Sequence, residues 1–238
     1  MALAVVGLLV LASAWWSCTG SLARTAAAEG ILTHAEGSFA LQSPVAGQIT
    51  GTFVEPGSTF PVNAPLFTVR VDESIHTIRS ISGGRATAVL GQAGQVIVPG
   101  TQLAVIERID GPTDPLVAEL YVPQDRSGLI RTGQPVDLEV QSAPAAQYGV
   151  LRGTVVSISQ FPENTRQISD FLGDEQLGTR FSTQGQPLRI VVRLRRDRTA
   201  SGWEWSTRHG PPYQIDSRTL VSAQIHVAPI KPVRWVVA

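Results

Sequence analysis

The chain has 238 residues, 19 basic and 19 acidic, and carries no formal net charge at pH 7. Balanced charge at a charged fraction of 16% leaves no basic footprint for nucleic acid and no acidic tail. With 22 glycines, 16 prolines and few aromatic residues, the composition favours short strands and turns, and a single cysteine, Cys18, excludes an internal disulfide framework.

Ala2 to Ser17 is almost wholly apolar. As a helix it reaches roughly 24 Å at about 1.5 Å per residue, slightly short of a hydrocarbon core of about 30 Å. Trp15 and Trp16 stand where an interfacial aromatic belt is expected. Residues 1–18 are therefore read as one membrane-spanning helix. A cleaved signal peptide is the competing reading, favoured by the Ala-rich Ser21–Ala28 stretch and opposed by the Trp pair and the missing basic n-region. Trp15-Trp16-Ser17 before Cys18 is unlike the small residues of a lipidation site, so Cys18 reads as a membrane-embedded side chain. No Lys or Arg precedes the run and Arg24 follows it, which predicts a basic flank upstream of Met1 if the rest is exported. Residues 19–30 are small and polar, and read as a linker.

The stretch from Ser43 to Ile106 states one pattern twice. Ser43-Pro44-Val45-Ala46-Gly47 moved forward by 37 positions falls without a gap on Ser80-Ile81-Ser82-Gly83-Gly84. Thr50 then meets Thr87, Gly57 meets Gly94 and Leu66 meets Leu103, while Phe53/Leu90, Phe60/Ile97 and Val69/Ile106 keep apolar character. Asn63 pairs with Gly100, and Asn and Gly are the residues that most readily take the left-handed conformation of tight turns. Gly47, Gly57, Asn63, Gly84, Gly94 and Gly100 are accordingly assigned as structural turns. Each copy, 43–69 and 80–106, has too few strands to bury a face alone, so the two are expected to interlock into one sandwich over 31–108.

That arrangement resembles the lipoyl/biotinyl barrel-sandwich hybrid. In the carriers of that fold the junction between the halves presents a lysine for cofactor attachment. Here the junction Val71–Arg79 has none, and the chain's one lysine is Lys231. No cofactor is expected, and a lipoyl or biotinyl carrier subunit stays as a disfavoured alternative.

Asp110-Gly111-Pro112-Thr113-Asp114-Pro115 is a linker by composition. Beyond it, residues 109–238 read as a β-barrel domain. Leu116, Ala118, Leu120 and Val122 alternate on one face of a strand, with Glu119 and Tyr121 on the other. Gly128 to Val140 is a turn feeding a second strand, and Gly149 to Ser159 is a third. One helical insertion falls near 164–178: Asn164 is an N-cap with Gln167 three residues on, Ile168, Phe171 and Leu172 share a face, and Gly173 ends the helix. Leu188, Ile190, Val192 and Leu194 then alternate with Arg189, Arg193 and Arg195, and a last strand turns Val221, Ala223, Ile225 and Val227 inward. Val233 to Val237 is expected to close the barrel.

The cofactor-free sandwich beside this barrel, with Gly133-Gln134-Pro135-Val136, resembles the HlyD-type membrane fusion, or periplasmic adaptor, proteins of bacterial exporters. The motifs Tyr148–Pro162, Leu172–Leu177, Ser201–Ser206 and Gly210-Pro211-Pro212 are similar to the secretion protein of nitrile-hydratase-leader-peptide bacteriocin systems. The resemblance implies an all-β, non-enzymatic adaptor on one inner-membrane anchor, its β domains extracytoplasmic. Its implied partners are a peptidase-containing ABC transporter, an exported peptide cargo and further copies of itself. An adaptor of another pump, such as a proton-driven drug exporter, is the alternative. In one respect the chain departs from the family: Val71–Arg79 is too short for the helical hairpin that many adaptors insert there.

No catalytic constellation emerges. His34, His76, His209 and His226 lack metal-site spacing, Ser157 and Ser159 sit in a strand without a nucleophile elbow, and Ser82-Gly83-Gly84 repeats a structural turn. The candidates for partner contact are Arg193 and Arg195, within a cluster that includes Arg196 and Arg198, and the Trp203/Trp205 pair. Their competing readings are a solvated strand face that discourages edge pairing and plain cover for the barrel.

Overall fold

The computed structural model describes residues 22–109 and 114–230. The segment 1–18 read as membrane-spanning, the linker residues 110–113 and the run 233–237 lie outside them. Among the described residues no helix is long and apolar enough to cross a membrane.

The duplication in the sequence is a duplication in space. In the first copy the strands are β2 (Ser38–Gln42), β3 (Gly47–Thr52), β4 (Thr59–Phe60) and β5 (Pro65–Val71); in the second, β6 (Ser74–Arg79), β7 (Gly84–Val89), β8 (Val96–Ile97) and β9 (Gln102–Arg108). One antiparallel sheet runs β2-β9-β7-β4 and the other β6-β5-β3-β8. Each sheet thus takes two strands from each copy, and the shift of 37 residues converts one order into the other. Their shared core carries the same equivalence, with Leu41/Ile78, Ile49/Ala86, Leu66/Leu103, Phe67/Ala104 and Val69/Ile106 all buried.

A closed six-stranded barrel holds most of the remaining described residues. Its order is β1-β10-β13-β12-β11-β14, with β1 Leu22–His34, β10 Leu116–Val122, β11 Pro135–Val140, β12 Leu151–Ile158, β13 Leu188–Leu194 and β14 Leu220–Ile230. Val221, Ala223, Ile225 and Val227 point into its core, opposite Leu120, Leu138, Ile190 and Val192. Two one-turn helices, α1 (Gln124–Ser127) and α2 (Ala145–Tyr148), cap strand connections.

Closure differs from the sequence expectation. The residues read as a linker over 19–30 enter β1 from Leu22 onward, and β1 zips to both β10 and β14. Ile31–His34, assigned above to the sandwich, continue that barrel strand. The physical reason is side-chain size. Ala26, Ala28 and Leu32 turn inward while Thr25, Ala27 and Glu29 are exposed, so the alternation is present but drawn in alanine and glycine. Gly30 permits the closure, because a Cβ there would collide with the Glu119 carbonyl.

A helical pair covers the outside of the barrel. In α3 (Thr165–Leu172), Asn164 Oδ1 accepts the Gln167 N–H and Gln167 Oε1 accepts the Asn164 N–H, each at 2.9 Å, and Gly173 closes the helix at φ +64°. Asp174 then caps α4 (Glu175–Phe181). Ile168, Leu172 and Phe181 pack on Ile31 and Tyr121 of the outer barrel face. As a result β10 is buried along its whole length.

Sandwich and barrel meet at a polar joint. Glu107, 0% exposed on β9, accepts Arg85 Nη2 at 2.9 Å and the Ser217 hydroxyl at 2.7 Å. Ser217's neighbour Arg218 donates its backbone N–H to Leu32 and its guanidinium to the Leu172 carbonyl and the Asp174 carboxylate. The stretch before β14 therefore ties sandwich, barrel and helical pair together.

Candidate functional site

The junction between the sandwich halves is a tight hairpin. Asp72, at φ +53°, and Glu73 connect β5 to β6, and both are exposed. No amine stands at this tip. The remaining turn residues occupy equivalent places in the two copies. Gly57 and Gly94, at φ +87° and +91°, donate to the carbonyls of Ala86 and Ile49 at 2.7 Å each. Asn63 and Gly100, at φ +65° and +88°, donate to Ser80 and Ser43. A Cβ on Gly47 or Gly84 would meet the carbonyl of Arg70 or Glu107, residues that are themselves 37 apart.

The arginine and tryptophan candidates separate. Arg193 is exposed on β13, and Arg195, also exposed, pairs with Glu204 at 3.0 Å. Arg196 lies over the Trp203 ring at 5.8 Å. Trp203 is half-buried, held by Thr199, whose hydroxyl accepts its N–H and donates to its carbonyl. Trp205 does not form a contact surface with it. It is 5% exposed, belongs to the barrel core, donates Nε1 to the Ser201 hydroxyl at 2.9 Å and carries Gly210 against its ring. The loop folds back on the chain just beyond β13 through the Arg196–Trp203 bridge and reaches β12 through the Leu151–Trp205 bridge, and that turns the second indole inward.

Among the described residues no group of three or more His, Cys, Asp or Glu could hold a metal ion. His34 lies 3.4 Å from Asp114, His226 Nε2 lies 2.9 Å from Asp137, which also pairs with Arg152, and His76 and His209 are exposed.

The most perturbed chemistry lies on the face of β10 that carries Glu119 and Tyr121. Beneath the helical pair Glu119 is 1% exposed and Tyr121 3%. One Glu119 oxygen and the Tyr121 hydroxyl have no hydrogen-bond partner. Arg189 Nη1 stands 3.7 Å from Glu119 while Nε donates to Glu163 at 2.8 Å, and its guanidinium lies 4.7 Å from the centre of the Phe171 ring. Burial pushes the Glu119 carboxyl up from 4.5 to about 7, against the opposing pull of Arg189. Desolvation also raises the Tyr121 hydroxyl, with the Glu119 charge adding to it. The available signal was the apolar face of α3, which needs a strand to cover. The Tyr121 ring stacks on Phe181 at 4.8 Å and completes that cover.

A duplicated, interlocked sandwich tied to a closed six-stranded barrel defines the class of fold. No family model matches the chain. Among solved structures it shares the fold of ZneB from Cupriavidus metallidurans, at TM-score 0.54 and 10% identity over 87% of this chain and all of that one. MacA from Actinobacillus actinomycetemcomitans is similar at TM-score 0.58 and 8% identity, covering 90% of this chain and 81% of its own. A MacA-MexA chimera containing the Pseudomonas aeruginosa MexA alpha-hairpin domain gives TM-score 0.54 at 10% identity, with 89% and 84% covered.

Proposed function

We propose that the chain is a non-enzymatic membrane fusion adaptor of an ABC-type exporter that secretes leader-peptide-processed, bacteriocin-like peptides. The observation that carries the adaptor reading is the sandwich-plus-barrel fold spanning the described residues, with an acidic Asp72–Glu73 turn where a carrier would present an amine. Its work is positional. The two β bodies, locked through Glu107, Arg85 and Ser217, hold a fixed geometry from which surface residues dock on the transporter exit. The exporter class rests on the motifs Tyr148–Pro162 and Ser201–Ser206. We place the β bodies on the extracytoplasmic side of the inner membrane, on the anchor read in residues 1–18.

Affinity capture of the tagged chain from its own membranes tests the reading. A peptidase-containing ABC transporter, recovered again when the transporter is the bait, is the expected result. Recovery of a proton-driven pump would replace the exporter class. An intact mass increased by a lipoyl or biotinyl group on Lys231 would overturn the non-enzymatic assignment.

A further inference from the structure

The α3–α4 pair is a self-contained unit on a stem. It is inserted between β12 and β13, and the stem is closed by Ser159 N–H to the Arg189 carbonyl and Glu163 N–H to the Pro187 carbonyl, each at 2.8 Å. Gly178 lets the two helices touch, since a Cβ there would strike Ser169 and the Thr165 carbonyl, and the Thr165 and Ser182 hydroxyls bond at 2.7 Å. A unit tied together in this way lifts from what it covers without unfolding itself. It covers two bodies at once. Ile168, Leu172 and Phe181 lie on the barrel wall, while the turn between the helices rests on the sandwich, where Gly173 packs against Val105, Phe39 and Ser38.

Beneath this cover the polar groups do not match. The Glu119 oxygen nearest Arg189 is the one without a hydrogen bond: Nη1, at 3.7 Å, stands outside hydrogen-bond range, and Nε is committed to Glu163. The Tyr121 hydroxyl from the same strand has no partner either. The helices bring no donor. Arg166 and Asp170 of α3 pair with each other on its exposed side, Arg180 of α4 pairs with Glu29 of β1 at the exposed rim, and Asp174 is held by Arg218. The charged groups that face Glu119 are therefore Arg189, which attracts its carboxylate, and Glu163, which repels it. A neutral carboxyl is tolerated there. A carboxylate calls for donors that only water supplies, and water arrives when the pair lifts.

We infer that the α3–α4 pair is a proton-controlled clamp: with Glu119 protonated it holds barrel wall and sandwich together, and charging of Glu119 releases it from both. The Glu107, Arg85 and Ser217 joint stays in place on release, so the two bodies remain attached but lose the second tie between them. The clamp stands whichever transporter the chain serves.

Amide hydrogen exchange of the full chain in detergent, read by mass spectrometry at matched intrinsic exchange, tests this. Residues 163–181 should open far more readily than β11 and β14 at every pH, with β2 losing protection alongside them. The Glu119 carboxyl titrates at about 7 under the cover and at 4.5 once hydrated, so that opening should rise roughly 70-fold from about pH 5 to about pH 8. Glu119→Gln should flatten the rise. Glu163→Gln, which frees Arg189 to serve Glu119, should shrink it severalfold, a change that mere loss of packing does not produce. Opening independent of pH, exchange of 163–181 coinciding with that of β11 and β14, β2 unmoved as the pair opens, or a full rise kept by either variant would each overturn the inference.

Discussion

Replacing Glu119 by glutamine removes one buried charge and keeps nearly the same shape. Burial lifts this carboxyl from 4.5 to about 7, so the native state favours the neutral acid. At about 1.4 kcal/mol per tenfold change in proton affinity, that displacement corresponds to about 3 kcal/mol. The sign follows from proton counting. Between pH 4.5 and 7 the folded chain binds more protons at this position than the unfolded one, so its contribution is full below pH 4.5 and lost as pH rises toward 7. The amide of the Glu119→Gln variant cannot ionise, and Arg189 retains Glu163 as a partner. The stability difference between the two proteins should therefore be small at about pH 4 and favour Glu119→Gln by up to about 3 kcal/mol at about pH 8. That corresponds to a melting temperature higher by roughly 6–12 °C for a chain of this size. Urea unfolding followed by circular dichroism, run in parallel from about pH 4 to about pH 8, reads the difference directly and cancels the other carboxylates. Curves that stay parallel across the range, or a variant that weakens progressively as pH rises, would refute the reasoning.

Three further outcomes are expected. Trp205→Ala should cost about 3–5 kcal/mol in denaturant unfolding by emptying the barrel end and stranding Ser201, whereas an unaffected fold would return this indole to the surface. Gly57→Ala and Gly94→Ala, both at left-handed φ in open space, should each cost about 1–2 kcal/mol and nearly the same amount, since the two turns are copies; a large inequality in paired unfolding curves would argue against their equivalence. Glu107→Ala should destabilise by about 3 kcal/mol and raise amide exchange on both sides of the joint, while exchange confined to the sandwich would show that Ser217 carries no coupling.

What the sequence displays is what repeats or caps. The 37-residue offset was legible because turn residues and apolar slots recur together, and the helix start at Asn164 because side chain and spacing both serve the free N–H groups. The barrel's closing strand was hidden by its own size: Ala26, Ala28 and Gly30 fill a crowded seam with small groups that pass for linker composition. The burial of Glu119 was hidden for a different reason. Alternation tells which side of a strand a residue takes, but not whether another element comes to lie on that side. Trp205 likewise reads as one of a pair until the loop's return beside β12 is known.

The exchange of strands between the two halves of the sandwich sets how this body can be cut. A protein severed at the Asp72–Glu73 tip would yield two pieces, neither able to complete a sandwich sheet without the other, since each of those two sheets borrows half its strands across that point. Supplied together, the pieces should reassemble by complementation. Within an intact chain the same borrowing makes strand exchange between neighbouring molecules the characteristic hazard of refolding at high concentration.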